Sequence, residues 1–597
     1  MSAARDVTHT LPPRPQRRPQ YGSDIIVDML QACGIVYAAC NPGASFRGLH
    51  DSIVNYGGNH MPELIQCCHE EISVALAHGY AKATGTPMAA LIHNIVGLQH
   101  ASMAIFNAWC DRAPVLALGA TGPMDSTQRR PWIDWIHTAL VQGTLVRDYV
   151  KWDDQPHSLA SVPESLLRAY RLAQTDPQGP IYVCYDAGLQ EEVVRVPPVL
   201  PDPHRYAPPA PPQAHPEALE RTADLLVQAE RPVAIADLLG RHPAAIESLR
   251  SLAELLAMPV IDRGGRFNFP NTHDLDATDA ASDVLANADV VLALDVLDLF
   301  GALGSVDKAT RMFQPAIGPQ TQIIHITMGD FLVHSWAADY ERLQAVDVPI
   351  AADTAVALPH LLALCQARLG SAETARITAR AAQLSTQHRA RRQQWQQAAH
   401  LARAQRPIAV PTAVAEVWEV IKHEDWVLVN NAVGAWTRRL WDWERPGCTL
   451  GSSGGAGLGY GMGAALGSVL AHRHSGKVCV NLQADGDLLY TPSALWTAAH
   501  HHLPLLVVMF NNRSYYNSEE HALDVARVRE RPAANAGIGT RLDDPPVNFA
   551  QMAQAYGLYG EGPIATPDAI RPALERALRV VKDEGRLALV DIVMQPR

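Results

Sequence analysis

The chain has 597 residues, of which 48% are hydrophobic and 18% are charged. At roughly 100–200 residues per domain, this length predicts about three or four domains with their own cores and excludes a single small binding module. The formal net charge of −12 provides no general basic surface. We therefore expect neither nucleic acid nor an anionic membrane surface as a partner.

Nine cysteines without regular spacing are typical of a reduced intracellular chain rather than a disulfide scaffold. No segment approaches the roughly 18 or more uninterrupted apolar residues of a membrane span. The first twenty residues also lack the apolar stretch of a signal peptide. The sequence therefore predicts free thiols and a soluble, cytoplasmic protein.

The chain begins with a Pro- and Arg-rich stretch, residues 1–20, which we interpret as a disordered leader. From residue 21, amphipathic helical segments alternate with short apolar segments such as 87–92 and 113–118. Strands separated by helices of this length are typical of a parallel α/β sheet. We assign residues 21–196 to a first domain of this kind.

A proline-rich segment, residues 197–215, separates this domain from the next. Nine prolines within 197–216 exclude a helix and favour extended chain, which is typical of a linker. The α/β pattern returns over 216–370, and an Arg- and Gln-rich stretch, 371–410, is predicted to be a connecting helix. Residues 411–597 are predicted to form a third α/β domain.

We therefore expect three doubly wound parallel-sheet domains in one chain. The predicted strands are 35–39, 87–92, 113–118 and 180–185 in the first domain, 232–236, 259–261, 290–294 and 321–326 in the second, and 426–429, 478–482, 505–510 and 587–593 in the third.

Two oxygen-bearing side chains follow strands of the third domain. Asp485 comes directly after one strand, and Asn512 ends the next, 27 residues later. Ligands of open parallel sheets bind outside the carboxyl ends of the strands. Carboxylate and amide oxygens at this edge are suited to Mg²⁺, usually shared with phosphate. Taken separately, the dipeptides Asp485-Gly486 and Asn511-Asn512 are each equally well explained as ordinary turn residues.

The segment ADGDLLYTPSALWTAAHHHLPLLVVMFNN resembles the diphosphate and Mg²⁺ motif of thiamine-diphosphate-dependent enzymes, in the group of acetolactate synthase, benzoylformate decarboxylase and pyruvate decarboxylase. The resemblance covers nearly the whole chain after the leader. It implies a pyrimidine-binding, a central and a diphosphate-binding domain. It also implies that Mg²⁺ is held by the side chains of Asp485 and Asn512 and by the backbone carbonyl of Ser514.

The same motif places Gly486 and Asp487 beside the diphosphate of the cofactor. Asp487 departs from the family pattern, in which a small residue is common at this position. A second carboxylate near a polyanion is unfavourable unless it points away or is paired. Its role is therefore left open.

A second motif in the first domain supports the resemblance. HEEISVALAHGYAKATG is similar to the segment that carries the activating glutamate of the family, and Glu70 stands in that position. That carboxylate is expected to contact the pyrimidine ring of the cofactor. The simpler interpretation of the residues alone is a glutamate that caps the start of a helix.

Two further segments are expected to hold the cofactor. In SSGGAGLGYGMGAALG, Leu458 aligns with the bulky residue beneath the bent cofactor, and the Ala456 carbonyl and Leu458 amide would bind the pyrimidine edge. A glycine-rich stretch also permits close approach of backbone to a ring, although it is equally typical of a flexible loop. The backbone amides of Gly434 and Ala435, leading into a helix, could bind phosphate oxygens.

The same family resemblance indicates which residues would face the substrate. His93 follows an apolar strand where benzoylformate decarboxylase-like enzymes place a catalytic histidine, although a structural histidine is as good an interpretation. Tyr515 begins a polar stretch, 515–519, that replaces an apolar covering segment of the decarboxylases. This stretch is either a pocket lining for an oxygen-rich substrate or a solvated loop.

The leading hypothesis is a thiamine-diphosphate- and Mg²⁺-dependent decarboxylase or carboligase of 2-oxo acids. The alternatives are a lyase of 2-hydroxy ketones or acyloins, and a non-catalytic family member with a regulatory or scaffold role. The family arrangement implies that the cofactor lies between domains of two subunits, hence a homodimer or homotetramer. The first strand of the central domain lacks a glycine fingerprint, so FAD or a nucleotide is left open there.

Overall fold

The computed structural model describes residues 18–307, 310–332 and 342–595. The predicted leader therefore lies outside the described residues except for 18–20. All nine cysteines lie in the described part and are unpaired. Within these ranges, no helix has both the length and the apolar composition needed to cross a membrane.

The first domain is a six-stranded sheet in the order β2-β1-β3-β4-β6-β5, with every pairing parallel. Its strands are β1 Tyr37–Cys40, β2 Glu63–Gln66, β3 Met88–Ile92, β4 Val115–Thr121, β5 Asp153–Asp154 and β6 Ile181–Asp186, and its helices are α1 Gly22–Ala32, α2 Arg47–Asp51, α3 Glu70–Thr84, α4 Ile95–Cys110, α5 Val162–Gln174 and α6 Ala187–Glu191. Strands β3 and β4 are buried along their whole length. Continuous apolar burial is typical of a parallel strand covered on both faces.

The central domain has a five-stranded parallel sheet in the order β13-β12-β9-β7-β8 and a small antiparallel pair, β10 with β11. Its strands are β7 Pro232–Ala236, β8 Val260–Asp262, β9 Val290–Leu294, β10 Gly304–Val306, β11 Phe313–Pro315, β12 Gln322–Thr327 and β13 Val348–Ala351, and its helices are α7 Pro216–Gln228, α8 Pro243–Leu256, α9 Ala281–Ala286, α10 Leu299–Ala302 and α11 Thr354–Arg368.

A long helix, α12 Ser371–Ala402, connects the central domain to the third. It ends earlier than the predicted range 371–410, ahead of Pro407, and a separate helix begins at Val410. The helix is anchored to the central domain because Arg380 donates to the carbonyl oxygens of Ala257 and Glu230. The helix therefore packs on the central domain in addition to connecting it to the third.

The third domain is a five-stranded parallel sheet in the order β14-β15-β16-β18-β17. Its strands are β14 Trp426–Asn431, β15 Val478–Ala484, β16 Leu506–Asn511, β17 Tyr559–Ile564 and β18 Ala588–Val593, and its helices are α13 Val410–Ile421, α14 Ala435–Leu440, α15 Tyr460–Ala471, α16 Asp485–Tyr490, α17 Ala494–His500, α18 Tyr516–Val528, α19 Phe549–Ala555 and α20 Pro567–Asp583.

The prediction of three parallel α/β domains is confirmed. The predicted strands agree with the observed ones to within three residues at either end, and 232–236 and 290–294 have the observed bounds. The prediction missed β2, β5, β13 and β17, and also the short antiparallel pair of β10 and β11. The first four are edge strands that pair with a single neighbour, so their sequences carry less of the apolar signal of a central strand.

The first and third domains meet where α3 crosses α15. A methyl group on Gly79 would collide with the backbone of Ala464, and one on Gly467 would collide with the carbonyl of Leu76. Glycine at these two positions therefore lets the two helix backbones touch. This contact places the start of α3 next to the glycine-rich segment before α15.

Candidate active site

Glu70 is the first residue of α3, and its side chain is only 3% exposed. Its Oε1 faces α4, because a methyl group on Gly97 would lie 2.7 Å from it. Its Oε2 is buried and accepts no hydrogen bond from the described residues. His100 Nδ1 lies 3.4 Å from this oxygen without forming a hydrogen bond to it. A buried carboxylate oxygen that accepts no hydrogen bond is costly, so this atom is suited to receive a donor from a bound molecule.

The cap of α3 is His69 and not Glu70. The His69 imidazole accepts a hydrogen bond from the Glu71 amide at 3.2 Å, and the residue has the extended backbone of an N-cap. Interpreting Glu70 as a helix cap is therefore wrong. The carboxylate is left free for another role.

His93 lies one residue beyond β3, as predicted, at the carboxyl edge of the sheet. Its Nδ1 is 2.8 Å from the Ser45 hydroxyl, and its ring meets His137 edge to face at 5.6 Å. Burial and the nearby His137 lower the pKa of His93, against the opposite effect of Glu70. A neutral imidazole that shares a proton with a hydroxyl can donate or accept a hydrogen bond at a substrate oxygen.

The predicted metal ligands converge at the carboxyl edge of the third sheet. Asp485 follows β15, and its Oδ2 accepts a hydrogen bond from the amide of Arg513 at 2.6 Å. Arg513 lies between Asn512 and Ser514, so one short loop brings both other predicted ligands to the carboxylate. The Asn512 side-chain oxygen accepts from the Ser514 amide at 3.0 Å.

This donor set fits a hard divalent cation. A carboxylate, an amide oxygen and a backbone carbonyl are the oxygen ligands that Mg²⁺ uses in proteins. Burial raises the pKa of Asp485 to about 6, despite hydrogen bonds from several backbone amides. A bound cation would offset the cost of keeping this buried carboxylate ionised.

A second carboxylate holds the loop in place. The Glu519 side chain accepts hydrogen bonds from the Ser514 hydroxyl at 2.7 Å and from Arg541 Nη2 at 3.0 Å. Backbone bonds from Tyr515 to Thr540 and from Leu542 to Arg513 pin the same segment. Residues 516–519 begin α18, so the expectation of a solvated loop is wrong there.

Tyr515 packs against the diphosphate motif. A side chain at Gly486 would collide with the Tyr515 ring, so the close approach requires glycine at this position. Gly434 lies at the other predicted phosphate contact with φ 70°, a conformation that favours glycine, and α14 starts at Ala435. The structure thus has the loop-to-helix turn expected at Gly434 and Ala435.

The glycine-rich segment 451–459 lies against α4. The Asn107 side-chain oxygen accepts hydrogen bonds from the Ser453 hydroxyl at 2.6 Å and the Gly457 amide at 3.3 Å. Ala456 has φ 52°, and Leu458 is 37% exposed. The segment is therefore held against α4 at two points, while Leu458 remains accessible.

Asp487 has a role that the sequence left open. Its carboxylate accepts hydrogen bonds from the amides of Gly459 and Gly461 at 2.7 and 3.1 Å, and from Gln483. It therefore caps the start of α15. Glu71 approaches the same turn, and burial together with the Asp487 charge raises the pKa of Glu71 to about 7.

Sequence reasoning missed a buried ionic cluster where the three domains meet. Asp111 Oδ2 is 2.9 Å from both Lys82 Nζ and His78 Nε2, and the carbonyl of Asp111 accepts from Arg266 of the central domain. Lys82 also donates to the carbonyl of Ser452, in the glycine-rich segment, at 2.8 Å. The available signal was the spacing of His78 and Lys82, which lie four residues apart on one helix face.

A cavity of about 660 Å³ lies at the carboxyl ends of the central domain's strands and is also bordered by the first and third domains. Arg112 of the first domain and Arg263, Asp237 and Asp298 of the central domain line it, and it extends to Ser452 in the glycine-rich segment.

Three family models match the chain. They describe the N-terminal TPP binding domain of thiamine pyrophosphate enzymes over residues 20–145, the central domain over 219–361, and the C-terminal TPP binding domain over 432–592.

Several named proteins are similar over nearly the full chain. The probable acetolactate synthase large subunit of Methanocaldococcus jannaschii is 23% identical, covering 96% of this chain and 92% of its own length. The acetolactate synthase isozyme 3 large subunit of Escherichia coli is 25% identical, covering 96% and 94%. The benzoylformate decarboxylase of Pseudomonas aeruginosa is also 25% identical, covering 92% and 97%.

Solved structures agree on the fold. A putative thiamin diphosphate-dependent enzyme from Mycobacterium smegmatis superposes with a TM-score of 0.73 at 18% identity, covering 97% of this chain and all of the other. Benzoylformate decarboxylase from Polynucleobacter necessarius gives 0.73 at 16%, covering 96% and 99%. The three models match in the order of the three observed domains and together span most of the sequence, so the protein belongs to the thiamine pyrophosphate enzyme family.

Proposed function

We propose that this protein is a thiamine-diphosphate- and Mg²⁺-dependent decarboxylase or carboligase of 2-oxo acids, similar to acetolactate synthase. The observation that carries the proposal is the buried Glu70 carboxyl group, whose Oε2 has no hydrogen-bond donor among the described residues. A second set of residues, Asp485, Asn512 and Ser514, would supply oxygen ligands for the metal in the third domain. A purely structural protein has no need of either feature.

Asp485, Asn512 and the carbonyl of Ser514 would hold Mg²⁺, and the metal would bind the diphosphate. The amides of Gly434 and Ala435 would contribute at the start of α14, as expected for an anion at a helix N-terminus. Gly486 and Tyr515 would form one wall beside the diphosphate. Asp487 would contribute indirectly, because its carboxylate is already bonded to the turn before α15.

Leu458, Ala456 and Glu70 would bind the organic part of the cofactor. Leu458 would support it from beneath, the backbone at 456–458 would contact the pyrimidine edge, and Glu70 would hold a proton at the ring nitrogen. When bound, thiamine diphosphate supplies the nucleophilic carbon and the electron sink for the reaction. The chain supplies orientation, proton placement and exclusion of water.

His93 is the candidate catalytic group on the substrate side. Its bond to Ser45 fixes the ring, and its lowered pKa keeps it neutral near pH 7. A neutral imidazole can hydrogen-bond the carboxylate of a 2-oxo acid and exchange a proton with the product. Tyr515 and the polar start of α18 would border the same space.

We further propose that the site is shared between two copies of the chain. Neighbouring helix residues point about 100° apart, so Glu70 and Glu71 cannot serve one site. Glu71 approaches this chain's own turn, because a methyl group on Gly459 would lie 2.7 Å from its Oε1. Glu70 faces α4 instead and is available to a cofactor held by a partner subunit.

Exposed apolar side chains support this assembly. Trp132, Trp135 and Leu140 are 80, 67 and 72% exposed, and they belong to the segment that carries His137. Exposed aromatic patches of this kind are typical of protein interfaces. A homodimer would cover them beside His93, and a homotetramer could be built from two such dimers.

Lyase action on 2-hydroxy ketones or acyloins is the second candidate, because it would use the same residues in the reverse direction of a carboligation. A non-catalytic role is disfavoured by the joint presence of Glu70, Leu458 and the metal ligands.

The test is a screen of 2-oxo acids and 2-hydroxy ketones with CO₂ release and acyloin formation followed together. We expect turnover of at least one 2-oxo acid that requires both thiamine diphosphate and Mg²⁺. Cleavage of hydroxy ketones alone would support the lyase. Turnover without added or bound cofactor, or none with any substrate class, would contradict the proposal.

A further inference from the structure

Two amide side chains stand inside the buried strand β15. Asn481 and Gln483 are both 0% exposed, and residues two apart in a strand face the same side of the sheet. Parallel strands covered on both faces are normally continuous apolar runs. A buried amide is unfavourable unless its polar atoms form hydrogen bonds. These two side chains therefore need polar partners in the core of the third domain.

The partners form one continuous series of hydrogen bonds. Asn430, near the end of β14, donates to the Asn481 side-chain oxygen at 3.0 Å. Asn481 donates to Gln483 Oε1 at 2.9 Å, and Gln483 Nε2 donates to Asp487 at 2.5 Å. The three bonds all point toward the carboxylate, an arrangement in which neighbouring hydrogen bonds strengthen one another. We call these four side chains the Asn430–Asp487 network.

The start of α15 lies directly on this network. A methyl group on Gly461 would lie 2.5 Å from the side chains of Asp487 and Gln483 and 2.8 Å from that of Asn430. The Gly461 amide also donates to Asp487 at 3.1 Å. Glycine at this position therefore allows the helix backbone to contact both ends of the network.

The network joins two segments that are expected to hold opposite ends of the cofactor. At one end, Asn430 lies near the end of β14, before the turn at Gly434 that is assigned to the diphosphate. At the other end, Asp487 holds the Gly459 amide, which directly follows Leu458 in the chain. The relative position of the two turns is therefore tied to the hydrogen bonds between them.

We propose that Gln483 is a positioning residue, which holds the turn at Gly434 and the turn at Leu458 in one fixed geometry through the Asn430–Asp487 network. The proposal rests on the function proposed above, because both turns are taken as cofactor contacts. Without the Gln483 hydrogen bonds, the metal ligands are unchanged but Leu458 is free to shift. A displacement of about 1 Å is enough to slow an enzyme reaction on the order of 100-fold.

The first test uses the cofactor-free protein and needs no activity. Amides at the start of a helix have no partner within it, so the protection of Gly459 and Gly461 depends on Asp487. Hydrogen–deuterium exchange with mass spectrometry measures this protection in a peptide that spans the two glycines. Gln483→Met keeps the length of the side chain without its hydrogen bonds, and we expect exchange of this peptide to be about 10-fold faster or more.

Gln142→Met is the matched control for the exchange measurement. Gln142 is 1% exposed in the first domain, and its side chain also donates buried hydrogen bonds. We expect this variant to exchange the same peptide at the wild-type rate. Wild-type exchange in Gln483→Met would overturn the proposal.

The second test separates positioning from stability. Both variants lose buried hydrogen bonds, so both should unfold at lower urea concentration than wild type. At a temperature where all three proteins are folded, we expect kcat for a 2-oxo acid to fall about 10-fold or more in Gln483→Met alone, with the thiamine diphosphate Kd within about threefold of wild type. Equal kcat in Gln483→Met and Gln142→Met would mean a purely structural role and would overturn the proposal.

The two tests also distinguish the failure of each claim. Faster exchange in Gln483→Met, without turnover of any 2-oxo acid by wild type, supports the link between the two turns and contradicts the proposed function. Turnover by wild type with undiminished kcat in Gln483→Met contradicts the positioning role and leaves the function standing.

Discussion

The carboxylate of Asp487 accepts a hydrogen bond of 2.7 Å from the amide of Gly459, 28 residues earlier in the chain. Gly459 has φ 91° and is the N-cap of α15, so its own side chain offers no acceptor. Asp487 supplies that acceptor from the neighbouring helix α16. Asp487, the residue that departs from the family pattern beside the predicted diphosphate site, therefore caps α15.

Removing this cap should destabilise the third domain. We expect Asp487→Ala to lower the free energy of unfolding by about 1–2 kcal/mol, as for other lost helix caps. The measurement is urea unfolding without cofactor. Asp583→Ala, at an exposed position on α20, is the matched control and should change little. Equal stability of the two variants would contradict the capping role.

The difference between local and long-range signals explains what the sequence could predict. Glu70, Asp485 and Asn512 stand in continuous motifs after strands or at a helix start, and the structure places them there. The hydrogen bond from the Gly459 amide to Asp487 and the ion pair between Lys82 and Asp111 join segments with no fixed sequence spacing. Such partners depend on how the helices pack, and no local pattern specifies them.

The same limit applies to the fold. Central strands such as β9 were found because apolar burial on both faces makes a continuous run. The edge strand β17 reads Tyr-Gly-Glu-Gly-Pro-Ile and has neither this run nor strong strand-forming residues. Its place is set by pairing with β18.

Acid should weaken the interdomain cluster through His78. Burial lowers the pKa of His78 to about 4, against the opposing effect of Asp111. In the unfolded chain the imidazole binds its proton near pH 6.5, so between pH 6.5 and 4 the unfolded state holds more protons. Stability therefore falls as the pH drops through this window, by about 2 kcal/mol between pH 7 and 5 from this group.

The check is to compare urea unfolding at pH 7 and pH 5 for wild type and His78→Gln. The glutamine does not titrate, so the loss of stability between the two pH values should be about 2 kcal/mol smaller in the variant. Other buried histidines affect both proteins alike. An identical pH dependence would show that His78 is not buried in its neutral form.

Glu519 should control metal affinity without touching the metal. Its bonds to Ser514 and Arg541 hold the loop that carries two of the predicted ligands. We expect Glu519→Gln to weaken Mg²⁺ binding about 10-fold, typical of residues that orient metal ligands. Calorimetry in the presence of thiamine diphosphate measures the effect.

Two further variants serve as controls for the Mg²⁺-binding measurement. Asp485→Ala should lose Mg²⁺ binding, and Glu575→Gln, exposed on α20, should bind as wild type does. If Glu519→Gln binds Mg²⁺ as tightly as Glu575→Gln does, the loop keeps its shape without the Glu519 hydrogen bonds, and this prediction is contradicted.

The exposed aromatic segment should form the subunit contact. Trp135→Glu would place a charge in the buried centre of that contact, so we expect dissociation to monomers together with loss of turnover. Sedimentation velocity measures the change. Val199→Glu, at an apolar position that is 93% exposed in the linker, is the control. An intact oligomer with Trp135→Glu would place the interface elsewhere.

The most direct test of the whole account is Glu70→Gln, assayed for 2-oxo acid turnover while thiamine diphosphate affinity is measured on the same preparation. The glutamine keeps the shape of the side chain but cannot hold the proton at the cofactor ring. We predict a fall in kcat of about 100-fold or more with cofactor Kd within about threefold of wild type. Turnover equal to wild type with cofactor bound would contradict the central role assigned to Glu70.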